Sequence, residues 1–383
     1  MWVAVLLVVL LIIFITSALR GDDNDGTRPT VGTTLGTTTA ETTTEATTTA
    51  SVDYADYTDA TTAFSGDYSF TNGILIDLEN NTVAASRGGD SKIYPASMTK
   101  VMTLIVAAEV VEDLDETFTM TAEITDPLYI ANASVAGFAI GEEVTVRDLI
   151  YGLILPSGGD GALGLAYHIA GSEEAFAEMM NAKAKKMGLK KTHFTNCTGL
   201  HNDDHYSTCH EIALIVKYAI QDEFMREVLT TYQYTTESTP EHPEGILLTS
   251  TLLSRMSGDE SETMFVQGGK TGFTTEAKNC LASFATPLVP GMTEEQLKLQ
   301  PTKYILVTAG SGDKFGPVFD AIGVYNDFSD GEEPAVTAGV ATSPVDEPTG
   351  TTTGKNMDEA QSTTTTEKKE PVKIYTAAPP TKG

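Results

Sequence analysis

Two kinds of segment alternate along this chain: stretches whose apolar residues recur at the spacing of helices or strands, and stretches with no such recurrence. Trp2 to Leu19 is apolar except for Thr16 and Ser17, long enough to cross a bilayer. No basic residue precedes it and Arg20 is the first, so it lacks the n-region of a secretory signal. Residues 1–20 therefore read as a membrane anchor or signal segment, with an uncleaved anchor favoured over cleavage after Ala18. From Thr27 to Thr62, 16 of 36 residues are threonine, too little apolar surface to fold, so residues 21–63 predict a disordered or glycosylated stalk. Residues 331–383, with Thr363 to Thr366 and Pro379-Pro380, predict a second low-complexity tail.

Between them, residues 64–330 carry the periodic patterns of one domain. Ile74 to Leu78 and Thr82 to Ser86 alternate as strands around the turn Glu79-Asn80-Asn81. Helical spacing covers 97–113, 146–155, 160–170, 172–187 and 210–220. Strand patterns return at 262–269, 278–286 and 303–309, and a last helix at 314–327. Strands first, helices in the middle, then strands and a helix imply an α/β (α+β) fold: an antiparallel sheet whose N-terminal hairpin pairs with the C-terminal strands, flanked by helices.

Charge narrows the partners. The chain carries a net charge of −29, and residues 64–330 alone hold 37 acidic and 17 basic side chains. Nucleic-acid binding needs a basic footprint, so it is excluded. Cys197, Cys209 and Cys280 show neither zinc spacing nor a catalytic cysteine signature. Outside the cytoplasm Cys197 and Cys209 are able to pair, and three unpaired buried thiols are equally compatible with the spacing. His201, His205 and His210 sit without regular helical spacing, which favours loop hydrogen bonding over a metal site.

The candidate chemistry is Ser97-Met98-Thr99-Lys100, followed by Ser157-Gly158-Gly159 and Lys270-Thr271-Gly272. A serine and a lysine three apart on a helix share a face, roughly 5–6 Å between Cβ atoms. A neutral lysine amine at that range takes the hydroxyl proton and activates the serine. Ser311 and Lys314 repeat the spacing, but only Ser97 has a Lys-Thr-Gly downstream and opens a long apolar run, Val101 to Val111. Serine before a helix is otherwise an ordinary cap. The run is apolar around nearly its whole circumference, which predicts a buried helix and a Lys100 pKa lowered toward neutrality.

More segments fall into the same order: Leu155-Pro156-Ser157-Gly158-Gly159-Asp160, Met187-Gly188-Leu189, Phe194-Thr195-Asn196-Cys197-Thr198-Gly199-Leu200, His205-Tyr206-Ser207-Thr208, Gly269-Lys270-Thr271-Gly272-Phe273-Thr274 and Asn279-Cys280-Leu281. Together they resemble the serine-type D-alanyl-D-alanine carboxypeptidases, the low-molecular-mass penicillin-binding proteins, over roughly residues 65–328. The resemblance implies the penicillin-recognising fold and removal of the terminal D-alanine from peptidoglycan stem pentapeptides. It makes Ser97 the nucleophile, Lys100 the general base and Ser157 a proton relay. Lys270 and Thr271 would hold the substrate carboxylate, Gly272 would let the strand approach it, and the amides of Ser97 and Phe273 would form the oxyanion hole. It calls for no metal and no cofactor. Its partners are the stem peptide, β-lactam antibiotics as covalent inhibitors and, through residues 1–20, a membrane. The location it implies is extracytoplasmic, anchored or secreted.

Two departures stand out. The family usually carries asparagine at the third position of the middle triplet, where this chain has Gly159, with Asp160 as a candidate substitute. Many relatives also end in a second, β-rich domain and an amphipathic helix, where this chain has a low-complexity tail. Two other readings remain open on the residues alone: a β-lactamase-type hydrolase, for which no convincing deacylating Glu is evident, and a non-catalytic peptidoglycan-binding relative, supported by Gly159.

Overall fold

The computed structural model describes residues 53–256 and 261–329. The expected anchor, most of the stalk and the tail lie outside the described residues. The chain runs β1 (Asn72–Asp77), β2 (Thr82–Arg87), α1 (Lys100–Val110), β3 (Thr117–Thr119), α2 (Ala122–Ile130), β4 (Glu143–Thr145), α3 (Val146–Ile154), α4 (Gly159–Ala170) and α5 (Glu173–Lys186). It continues with α6 (Cys209–Ala219), α7 (Glu223–Thr230), β5 (Gln233–Thr235), β6 (Leu247–Thr249), α8 (Leu253–Met256), β7 (Met264–Thr274), β8 (Lys278–Pro287), α9 (Glu294–Lys298), β9 (Tyr304–Ser311) and α10 (Gly316–Ser329). The main sheet has the order β2-β1-β9-β8-β7, antiparallel at every step. The N-terminal hairpin does pair with the C-terminal strands, with Ile74 opposite Val307 and Leu75 opposite Leu306.

Alternate residues of each strand enter different cores, which is why these strands are apolar on both faces. Ile74, Ile76, Ala282, Phe284 and Val307 face the helical lobe. Leu75, Leu281, Ala285 and Leu306 face Val318, Ala321, Val324 and Tyr325 of α10. The lobe is centred on α1, whose first eight residues, Lys100 to Ala107, are all buried. Each buried Val, Leu, Ile or Met of that run contributes about 1.5–3 kcal/mol. Thr145, Ser172, Thr208 and Asp222 cap α3, α5, α6 and α7 through their side chains, so the helix starts are fixed locally.

Three differences from the sequence reading have physical causes. β7 runs on to Thr274 instead of ending at 269, because Gly268, Gly269 and Gly272 stay in the ladder. Helices α2 and α7 and the β3–β4 and β5–β6 pairs were not anticipated: Pro127 interrupts the α2 pattern, and three-residue strands carry no period. Finally, residues 53–63 are not stalk. Their backbone bridges β2 in parallel at Asp56–Thr82 and Thr62–Ala85, and Ala55 is buried in the core. Threonines whose side chains bond the neighbouring strand, as Thr61 Oγ1 does to Val83 O at 2.7 Å, look like low-complexity sequence in isolation.

Candidate active site

Ser97 lies in a 3-10 turn, Ala96–Thr99, that leads into α1. Ala96 is left-handed, with φ at +48°, a conformation that costs a non-glycine residue about 1–3 kcal/mol. Two glycines press on this turn. A Cβ on Gly199 would sit 2.1 Å from Ala96 O, and one on Gly272 would lie 3.1 Å from both Pro95 O and Ser97 N. The strand carrying Lys270 approaches the serine closely enough that any side chain at residue 272 would push the turn back by a few tenths of an ångström.

Lys100 Nζ donates to Ser97 Oγ at 3.1 Å and also to Thr198 O. The lysine is 3% exposed, and burial lowers its pKa to about 8. The segment it leans on is pinned from several sides. Thr103 Oγ1 donates to Cys197 O at 2.7 Å, Cys197 N to Glu173 Oε1 at 3.1 Å and Gly199 N to Asn196 Oδ1 at 2.7 Å. His205 braces the turn from below. Its Nδ1 accepts from Thr195 N at 3.1 Å, which leaves Nε2 to donate to Thr99 Oγ1 at 2.7 Å. Burial lowers the His205 pKa to about 3, so it is a neutral structural imidazole.

Lys270 Nζ donates to Ser157 Oγ at 2.9 Å and to Thr271 O at 2.9 Å. It is 1% exposed, and burial, followed by the charges of Lys100 and Arg255, holds its pKa well below the usual lysine value. Ser157 is itself left-handed, with φ at +66°, which turns its hydroxyl toward the strand. Thr271 Oγ1 meets Thr251 Oγ1 at 2.8 Å. Phe273 is 62% exposed at the mouth. A cleft of about 400 Å³ opens on Ser97, Lys100, Ser157, Thr271, Gly272 and Phe273, and Lys270 reaches it through Ser157. Ser97, Lys100, Ser157, Lys270, Thr271, Gly272 and Phe273 are thus brought together.

The expected substitute for the missing amide is placed elsewhere. Asp160 is buried and accepts from Ala136 N (2.7 Å), Gly137 N (2.9 Å), Phe138 N (3.3 Å) and Gly161 N (2.9 Å). Its carboxylate holds the loop that walls the cleft and does not face the serine. Gly159 touches the same wall: its N donates to Ser134 O at 2.7 Å, and a Cβ there would lie 2.6 Å from Leu128 Cδ2.

Arg255, on α8, also lines the cleft and escaped sequence reasoning. Its only sequence signal was a basic residue in a helix of four residues. The three cysteines are unpaired and buried; Cys197 Sγ donates to Glu173 Oε1 at 3.3 Å. His201 faces Asp203 and Glu276 at 3.5 and 3.9 Å, and His210 meets Asp90 at 3.3 Å. The second serine–lysine spacing serves the end of β9, where Ser311 Oγ bonds Ser69 Oγ at 2.7 Å.

The cleft thus sets Ser97 beside Lys100 and Ser157 beside Lys270, and the chain as a whole is similar to known proteins. Residues 59–288 match the family model described as D-alanyl-D-alanine carboxypeptidase. The D-alanyl-D-alanine carboxypeptidase DacF of Bacillus subtilis is 33% identical over 220 residues, covering 56% of this chain and 53% of that protein. This chain therefore spans about half the length of that relative. A D-alanyl-D-alanine carboxypeptidase of a Streptomyces species is 32% identical over 236 residues, 60% of this chain and 78% of that one. The crystal structure of a Streptomyces DD-transpeptidase superposes with a TM-score of 0.57 at 29% identity, covering 69% of this chain and 99% of that one.

Proposed function

This chain belongs to the D-alanyl-D-alanine carboxypeptidase family, and from that premise we propose that its cleft removes the terminal D-alanine of peptidoglycan stem pentapeptides through an acyl-enzyme on Ser97. The observation that carries the reading is the Lys100 Nζ to Ser97 Oγ distance of 3.1 Å, in a cleft that also holds Ser157 and Thr271. Ser97 Oγ attacks the carbonyl between the two D-alanines while its proton passes to the neutral amine of Lys100. A pKa of about 8 leaves roughly a tenth of that amine neutral at pH 7. The oxyanion falls to the backbone amides of Ser97 and Phe273, a role supported by the close approach of Gly272 to Ser97 N. Ser157, hydrogen-bonded to Lys270, passes a proton to the departing amine. Water then releases the shortened peptide.

Electrostatics favours an anionic leaving group. Lys270 is depressed by burial and then by Lys100 and Arg255, so a substrate carboxylate beside it would offset the cost of holding positive charge there. Lys270, Thr271 and Arg255 are its clamp, with the guanidinium supplying a bidentate fork. β-Lactams, which carry a comparable carboxylate, would acylate Ser97. Peptidoglycan lies outside the cytoplasm, so the domain works extracytoplasmically. Among the described residues no helix is long and apolar enough to cross a membrane; the apolar run at residues 2–19 is the proposed anchor.

The test is mass spectrometry of a synthetic pentapeptide ending in two D-alanines. The native chain is expected to release one alanine and Ser97→Ala none; a native chain that leaves the peptide intact would sink the reading. A second outcome has its own support, because the superposing Streptomyces protein is named a DD-transpeptidase. An amine that intercepts the acyl-enzyme instead of water would give a peptide of higher mass in the same experiment.

A further inference from the structure

The ligand of this cleft has two sides, and the residues above serve only one. Lys270, Thr271 and Arg255 suit the carboxylate of the leaving group. On the acyl side a stem peptide presents an amide carbonyl that loses water as it enters and needs a donor in exchange. Gly159 has no side chain to offer. The space where one would begin is taken by Leu128 Cδ2, 2.6 Å from the Cβ position, and its backbone N is already spent on Ser134 O at 2.7 Å.

The loop that follows the helix carrying Leu128 brings its own amide. Asn132 lies two residues before Ser134, exposed, with φ at +50°, and it lines the same cleft as Ser97, Lys100 and Ser157. Among the described residues that line the cleft it carries the one side-chain carboxamide. Among the described residues no hydrogen bond occupies that carboxamide, unlike those of Asn181 and Asn196 nearby. The left-handed backbone is one that asparagine adopts readily and most residues do not. The loop itself is held by Asp160 through the amides of residues 136–138, so Asn132 projects from an anchored wall.

We propose that Asn132 is a substrate-binding residue that donates its side-chain amide to the acyl-side carbonyl of the ligand, in place of the amide absent at position 159. The inference rests on the D-alanyl-D-alanine reading of the cleft. Two β-lactams separate it from that reading: benzylpenicillin has the acyl-side amide, and 6-aminopenicillanic acid lacks it. Acylation rates of the full chain by both are followed by intact mass, for the native protein and for Asn132→Gly, which keeps the left-handed backbone and removes only the carboxamide. The expected result is benzylpenicillin slowed about tenfold and 6-aminopenicillanic acid unchanged within about twofold, the size of one lost hydrogen bond. Asn132→Asp, of the same shape and without the donor, is expected to repeat this selectivity. Equal slowing with both compounds would make Asn132 a mere support of the loop, and no slowing would remove it from the site; either overturns the proposal. A native chain acylated by neither compound would instead bring down the cleft reading itself, and this inference with it.

Discussion

At the scale of single residues, the proposed mechanism makes Lys100 the source of both activity and a stability cost. Its folded pKa of about 8 lies below the ordinary 10.5, so acylation of Ser97 should rise with pH to a plateau above about 8, read as adduct formation against pH. The same shift runs against folding. Between about 8 and 10.5 the unfolded chain still binds a proton that the folded chain has released, so native stability climbs through that window. Below it the full difference applies, about 3 kcal/mol at 1.36 kcal/mol per pKa unit. Lys100→Met should therefore melt at a higher temperature than the native chain at pH 7, lose that advantage toward pH 10.5, and form no adduct at any pH. Ser97 and Lys100 were legible because a three-residue spacing across the 3-10 turn and the start of α1 fixes their geometry. Arg255 and Asn132 were not, because the loops that bring them to the cleft are joined to it by long-range packing that no local spacing records.

Among the elements, the turn carrying Ser97 is shaped by strands and loops remote in sequence. Gly199 has φ at +81° and its Cβ position lies 2.1 Å from Ala96 O, whereas Gly171 has φ at +78° and open space around it. Gly199→Ala should abolish labelling of Ser97 by a fluorescent penicillin, while Gly171→Ala, burdened only by its backbone, should cost about 1 kcal/mol in a denaturant melt and label normally. A paired prediction concerns the wall of the cleft. Asp160→Asn puts amide hydrogens where four backbone N–H groups converge, two on each oxygen, leaving at least one donor unsatisfied, so the melt should fall by about 1–3 kcal/mol and KM for the peptide should rise. The sequence identified the sheet and the long helices because their apolar periods span two or more turns. It did not identify α2, where Pro127 interrupts the pattern, nor the far end of β7, where Gly272 resembles a breaker until the neighbouring strand is seen to hold it.

For the whole molecule, the informative error is the boundary. Composition ends the stalk at residue 63, yet Tyr54 Oη donates to Glu211 Oε1 at 2.7 Å, and that buried carboxylate also accepts from Lys190 N and Lys191 N at 2.7 and 3.0 Å. A chain beginning at residue 53 should melt like the full protein, and one beginning at 64 several degrees lower, with more aggregation because the β2 edge is uncovered. The same ribbon has a mechanical meaning. It is held to the outer strand by main-chain bonds such as Val83 N to Asp56 O at 2.9 Å and Thr62 N to Ala84 O at 3.0 Å, few enough to break in succession. A pull applied upstream of residue 53 would load this ribbon first and leave the five-stranded sheet, with Lys270 at its far border, unstressed until it had peeled away. The segment that composition assigns to a spacer is then a sacrificial strap at the entrance to the sheet.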